Sequence, residues 1–192
     1  MNGYFSAAWA KTGRAEGGYV DNPHDSGGIT NHGITQAVAR ANGFMGDMRD
    51  LTPERAKEIA KSQYWDILRL DEVAAVSPAI AEELFDSGFN CGHATAAKWL
   101  QDGLNAFNRS HREKDDSPKT VQDYPESAVD GMVGPMTIFC LKEFHRVRGT
   151  AGLQVMLRFL NCMQGAYYNE LRKRREKDEE FMFGWFNTRV VI

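Results

Sequence analysis

Cysteine is scarce and scattered in this chain of 192 residues, appearing only as Cys91, Cys140 and Cys162. An odd number without Cys-x-x-Cys spacing argues against both a disulfide framework and a zinc site, and fits thiols made in a reducing cytoplasm. The helix-like apolar surroundings of Cys140 and Cys162 predict core filler rather than nucleophiles. Histidine pairs are missing too: His24, His32, His93, His111 and His145 never fall in His-x-x-x-His spacing. Asp21, Asn22 and Asp25 hint at calcium, but the sixth loop position is Ser26 and the twelfth His32, so an EF-hand fails. There is no Gly-x-Ser-x-Gly elbow and no phosphate loop with its lysine. Basic charge is not in excess: 23 Lys and Arg face 26 Asp and Glu, a net charge of −3, so nothing holds a phosphate backbone and nucleic acid is not an expected partner. No stretch of about 18 apolar residues occurs, so no membrane span is expected. The opening "MNGYFSAAWAKTGRAE" has no charged region followed by an apolar core, so no export signal is readable.

What the chain does have is enough apolar material, 42% of residues with 11% aromatic, for one sizeable core or two small lobes sharing one. Tyr4, Phe5, Ala8 and Trp9 recur at helical spacing over residues 3–15, and Gly17-Gly18 stops the pattern. Thr52-Pro53-Glu54 is a helix start, with Ala56, Ile59, Ala60 and Ile67 forming an apolar face. Ser77-Pro78 repeats that start for "AIAEELFDSGFN", and Ala97, Leu100, Leu104 and Phe107 mark a helix from Ala94 to about Phe107. Residues 109–130 turn charged and lose periodicity, which reads as an exposed connection. Two helices follow, about 135–148 and a long one from about 151 whose buried stripe is Leu153, Met156, Leu157, Leu160 and Met163. The basic run Arg172 to Arg175 is followed at once by acids and reads as a solvated helix end. Trp185 and Arg189 are expected to pin the tail onto the core. Strand signals are few. The best hairpin is residues 19–34, with Gly27-Gly28 supplying positive φ for its turn. The expected class is mostly α, helical with one small β-hairpin.

Chemistry concentrates in "EGGYVDNPHDSGGITNHGIT", residues 16–35. Breaking a glycosidic bond needs a proton delivered to the leaving oxygen, and usually a second carboxylate. Glu16, at a helix C-terminus, feels the negative end of the macrodipole, and burial against Tyr19 or Trp9 adds desolvation; both favour the protonated form. Asp25, in a polar loop rich in backbone donors, stays ionised. An equally available local reading makes Glu16 a solvated residue at a helix end and Asp25 part of a turn that caps its own backbone.

With these residues assembled, the sequence resembles glycoside hydrolase family 108, the lysozyme-like N-acetylmuramidases found among phage endolysins and related bacterial proteins. The similarity runs through "DLTPERAKEIAKSQYWD", "LFDSGFNCGHATAAKWLQDGLN", "VDGMVGPMT" and "FMFGWFNTRV". It implies a lysozyme-like catalytic region over 1–93. Residues 94–192 are similar to the predicted peptidoglycan-binding domain that accompanies it, the two packed as one unit. It also implies cleavage of the β-1,4 bond between N-acetylmuramic acid and N-acetylglucosamine in peptidoglycan, with no cofactor and by a monomer. The family's catalytic glutamate falls on Glu16, and the wider lysozyme-like superfamily places an Asp and a Thr at spacings comparable to Asp25 and Thr30. Asp25 can instead fix the hairpin by accepting backbone hydrogen bonds. Tyr19, Tyr64 and Trp65 are candidates for sugar stacking, although "QYWD" at helical spacing favours the core for at least one of them. Asn90 can meet an N-acetyl group or cap its helix. The second half either binds the wall or closes one side of the groove. Such an enzyme is expected in the host bacterial cytoplasm before lysis, acting then on the wall; a virion-borne or exported enzyme fits as well. A lytic transglycosylase and a non-catalytic peptidoglycan-binding protein are the rival readings.

Overall fold

A computed structural model describes residues 3–15, 18–21, 28–111, 120–175 and 179–190. The first helix, α1, runs Gly3–Ala15, with Phe5, Ala8 and Thr12 buried along one face at helical spacing. Tyr4, expected on the apolar side, is exposed. After it comes a small antiparallel pair, β1 (Thr30–Asn31) and β2 (Ile34–Thr35), with Thr30 opposite Thr35 and Asn31 opposite Ile34. Its two-residue turn is His32-Gly33, both at positive φ (49° and 75°), the handedness that matches strand twist. Of the turn expected at Gly27-Gly28, Gly27 lies outside the described residues. Gly28 does take positive φ, and Val20 bridges to Thr30.

Thr35 ends β2 and caps α2 (Gln36–Ala41) by accepting from the Val38 amide. A 3-10 turn at Met48–Asp50 leads to α3 (Pro53–Ala60), capped by Thr52 with proline in its first turn, as the Thr-Pro-Glu signal predicts. The helix then widens into a π-helical turn, Lys61–Asp66. Each wide turn takes up an extra residue and rotates the next side chains about the axis. Ile67 is therefore 44% exposed rather than part of the buried face, and Trp65 and Leu68 point inward. Next are α4 (Leu70–Val76), α5 (Pro78–Cys91), capped by Ser77, and α6 (His93–Ala106).

The segment read as an exposed connection contains a second antiparallel pair, β3 (Arg109–His111) with β4 (Thr120–Gln122). Strands of three residues are too short to show apolar alternation, so the sequence carried no sign of them. The last helices are α7 (Pro135–Arg174) and α8 (Glu179–Thr188). Gly149, at φ 61° and ψ −161°, breaks α7 into the two arms the sequence predicts. Met156 and Leu160 are fully buried on the second arm, while Cys162 faces outward, which corrects its reading as core filler. Among the described residues no helix is long and apolar enough to cross a membrane.

A single apolar cluster extends from Phe5 on α1 to Tyr168 on α7, so both halves of the chain share one core. Helix α5 is its spine, packed against α1, α4, α6 and α7. Helix α6 comes close to α7 at Gly103, where an added Cβ would stand 2.7 Å from Met156 Sδ and 2.9 Å from the Phe159 ring. Gly103→Ala should therefore force the two helices apart and lower stability by about 1–3 kcal/mol. Thermal melting of the variant would show it as a clear drop in Tm.

Candidate active site

Helix α1 ends one residue before Glu16. Glu16, Gly17 and Asp25 themselves lie outside the described residues. On the hairpin side, Val20 and Thr30 exchange both backbone hydrogen bonds, at 2.8 and 2.9 Å. The two ends of the loop that carries Asp25 are thus fastened together. Thr30, half-buried, donates its hydroxyl to the Gly28 carbonyl at 3.3 Å. Asn31 is buried and donates to the Met48 carbonyl at 2.7 Å and the Leu51 carbonyl at 3.5 Å. A side-chain amide thereby does for the hairpin what a third strand would do, pinning it to the turn before α3.

Tyr19 leans into this corner. Its hydroxyl donates to Asp21 Oδ2 at 3.4 Å, and the Arg49 guanidinium sits 4.8 Å from its ring centroid. A groove of about 350 Å³ opens here, lined among others by Tyr19, Asp21, Arg40, Asp47 and Arg49. Arg40 is held by the Phe44 and Gly46 carbonyls, both at 2.7 Å. The surface offers alternating donors and acceptors around one aromatic face, which suits sugar hydroxyls and amides.

On the other side, a groove of about 490 Å³ runs beside the last turns of α1, between α5, α7 and the residues after α8. Lys11, Thr12, Glu83, Asp86, Asn161 and Arg189 are in its wall. Asp86 Oδ1 accepts from Thr12 Oγ1 at 3.2 Å and from Arg189 Nη1 at 2.9 Å, and Oδ2 accepts from Gln164 Nε2 at 2.8 Å. One turn earlier on α5, Glu83 accepts from Ser87 Oγ and Asn161 Nδ2, each at 3.1 Å. Burial, and then the neighbouring Asp86 charge, push the Glu83 carboxyl up to about 8.

The remaining sequence candidates separate. Trp65 is 1% exposed, packs edge-on against Phe5 and Phe85, and donates its indole N–H to Asp71 Oδ1 at 2.7 Å. It is core, not a sugar platform; the π-helical turn brings it inward. Tyr64 is half-buried with its ring 5.1 Å from that of Phe89, and burial raises its hydroxyl pKa. Asn90 donates Nδ2 back to the Asp86 carbonyl at 2.8 Å, so its amide serves the end of α5, the helix-end alternative. Tyr19 and Thr30 therefore share the hairpin, while Tyr64 and Asn90 gather around the C-terminal end of α5. Sequence reasoning passed over Glu83 and Asp86. Their signal was available: with Asn90 they fall at i, i+3 and i+7 on a helix whose neighbouring positions, Leu84, Phe85 and Gly88, are buried.

The family model of glycosyl hydrolase 108 matches residues 9–92, and that of a predicted peptidoglycan domain matches residues 95–190. A solved structure, that of Brucella abortus SagA, is 25% identical to this chain. It aligns with 99% of this chain and 91% of its own, at a TM-score of 0.69. No curated protein matches the chain.

Glu83 makes the junction sensitive to pH. Its pKa in the folded protein, about 8, lies above the ordinary 4.5, so the folded state holds a proton that the unfolded chain has released. The resulting stability is fully present below pH 4.5 and is lost as pH rises through 8. Thermal melting from pH 4 to 9 should show Tm falling across that window, and Glu83→Gln should flatten the fall.

Proposed function

We propose that this chain, whose residues 9–92 match the glycosyl hydrolase 108 model and whose residues 95–190 match a predicted peptidoglycan domain, is an N-acetylmuramidase. In this reading Glu16 is the general acid for the β-1,4 bond between N-acetylmuramic acid and N-acetylglucosamine. The coarser facts stand without the proposal: the chain is a glycoside hydrolase with a mostly α, lysozyme-like fold, and peptidoglycan is its partner.

The observation that carries the proposal is the Val20–Thr30 bridge. It ties Val20 to Thr30 beside a polar groove lined by the half-buried Tyr19, a setting that suits a saccharide strand. The acid delivers its proton to the leaving oxygen as the bond lengthens and positive charge develops on the sugar ring. A carboxylate then stabilises that charge or activates a water, and Asp25 is the candidate. Thr30, whose hydroxyl donates to the Gly28 carbonyl, is the candidate to order water or substrate. The negative end of the α1 dipole favours the protonated form of an acid at that helix end. The reading extends to an endolysin that accumulates in the cytoplasm of an infected bacterium and meets the wall once the membrane opens.

Clearing of outer-membrane-permeabilised cells tests the assignment. Glu16→Gln should lower the rate by at least about 10²-fold, the usual loss when general acid catalysis is removed, with a smaller loss for Asp25→Asn. Mass spectrometry of digested peptidoglycan should find reducing ends carrying the elements of water. A 1,6-anhydro product would replace hydrolysis by transglycosylation, and a Glu16→Gln protein that clears walls as fast as the parent would end the catalytic reading.

A further inference from the structure

Three side-chain amides along α6 and at its end hold the chain that leads into α7. Gln101, buried, donates Nε2 to Asp130 Oδ1 at 2.8 Å and to the Met132 carbonyl at 3.0 Å, and its Oε1 accepts from the Gly131 amide at 3.0 Å. One turn on, Asn105 exchanges two bonds with the Ser127 backbone, at 2.8 and 2.9 Å. Asn108 donates to the Tyr124 carbonyl at 2.7 Å and accepts from the Tyr124 amide at 3.1 Å. Positions 101, 105 and 108 recur at helical spacing, so the three amides form one clamp. Gly131 completes the turn at φ 81°, with the Ala94 carbonyl 3.1 Å from where a Cβ would stand.

What the clamp presents to water is apolar. Val129, Met132, Met136 and Phe139 are between 42% and 67% exposed. Met132 stands two residues before Gly134, the cap of α7, and Met136 and Phe139 lie one turn apart on that helix. Backbone fixed by this many directional bonds has already met the cost of ordering, which suits a surface that recognises a partner. We infer that this surface grips a glycan strand of peptidoglycan. Resting on the reading of peptidoglycan as the partner of this chain, the assignment puts the wall contact on the loop before α7 and its first turns, inside residues 95–190, which match the predicted peptidoglycan domain.

The chemistry of the two surfaces is complementary. A muramoyl glycan turns C–H faces and acetamido methyl groups toward apolar side chains, and its stem peptides carry carboxylates. Exposed lysines stand at both ends of the patch to meet those charges. At the loop end, the Lys98 stem runs past Gly131, its Cε 3.3 Å from the Cβ position there. At the helix end, Lys142 follows Phe139 by three positions and shares its side of α7. The acid of the turn, Asp130, is committed to the clamp, since its Oδ1 accepts from both Gln101 and the Met132 amide.

Co-sedimentation of the full chain with purified peptidoglycan sacculi, on ice to hold digestion back, is the test. Met136→Ser combined with Phe139→Ser should weaken binding at least about 10-fold, the usual effect of removing well-placed contact groups. Lys98→Gln combined with Lys142→Gln should weaken it less and make it less sensitive to salt. Phe183→Ser, which removes an 84% exposed aromatic from α8, should bind as the parent does. If the serine pair lowers Tm, Met132→Ser, in the loop before the helix, decides in its place. Patch variants that sediment like the parent, or a loss confined to Phe183→Ser, would overturn the assignment. So would a parent that self-associates and that the serine pair turns into a monomer with sacculus binding intact, because the patch would then belong to a second copy. A parent that stays in the supernatant would instead remove peptidoglycan as the partner, and this surface assignment with it.

Discussion

Asp86 sits on a helix whose inward neighbours, Leu84, Phe85 and Gly88, are fully buried, and a carboxylate in that setting must be met by donors or it destabilises the fold. It is met by Thr12 from α1, Gln164 from α7 and Arg189 from beyond α8. Apolar packing alone permits small sliding and rotation between helices. Directional hydrogen bonds to one acid do not, so the ends of the chain are brought to a common point beside α1. Glu83, one turn away, is held toward its protonated form by burial and then by the neighbouring Asp86 charge.

The hairpin solves a different problem. Two strands of two residues each have too little ladder to be stable alone. They are held by Ile34, buried completely in the core, by the Asn31 amide on the Met48 and Leu51 carbonyls, and by Thr35 passing directly into the cap of α2. Val20 is fastened to this frame by its bridge to Thr30. Tyr19 is held between Asp21 and Arg49, which leaves an aromatic face beside a groove rich in donors.

Much of the fold was legible because its signals are local. Thr52-Pro53, Ser77-Pro78 and the arms separated by Gly149 behave as capping chemistry and backbone preference dictate. The exceptions have separate causes. Ile67 left the buried face because a π-helical turn shifts the helical phase, and nothing in "KSQYWD" announces that turn. Cys162 was misread because apolar neighbours in sequence are not neighbours across a helix. β3 and β4 were missed because three residues each are too few to show alternation.

For the site, the sequence by itself determined its chemistry: a Glu at a helix end, a glycine-bounded polar loop and a Thr at the hairpin, in an order specific enough to indicate a family. Those features are contiguous, so covalent connection is sufficient to define them. Only the tertiary structure decided that Asp86 would meet Arg189, 103 positions away, and that Trp65 would be buried while Tyr19 faced a groove. Such choices arise from how helices pack in three dimensions. A one-dimensional pattern carries the need of a buried acid for a partner, but not the identity of the residue that answers it.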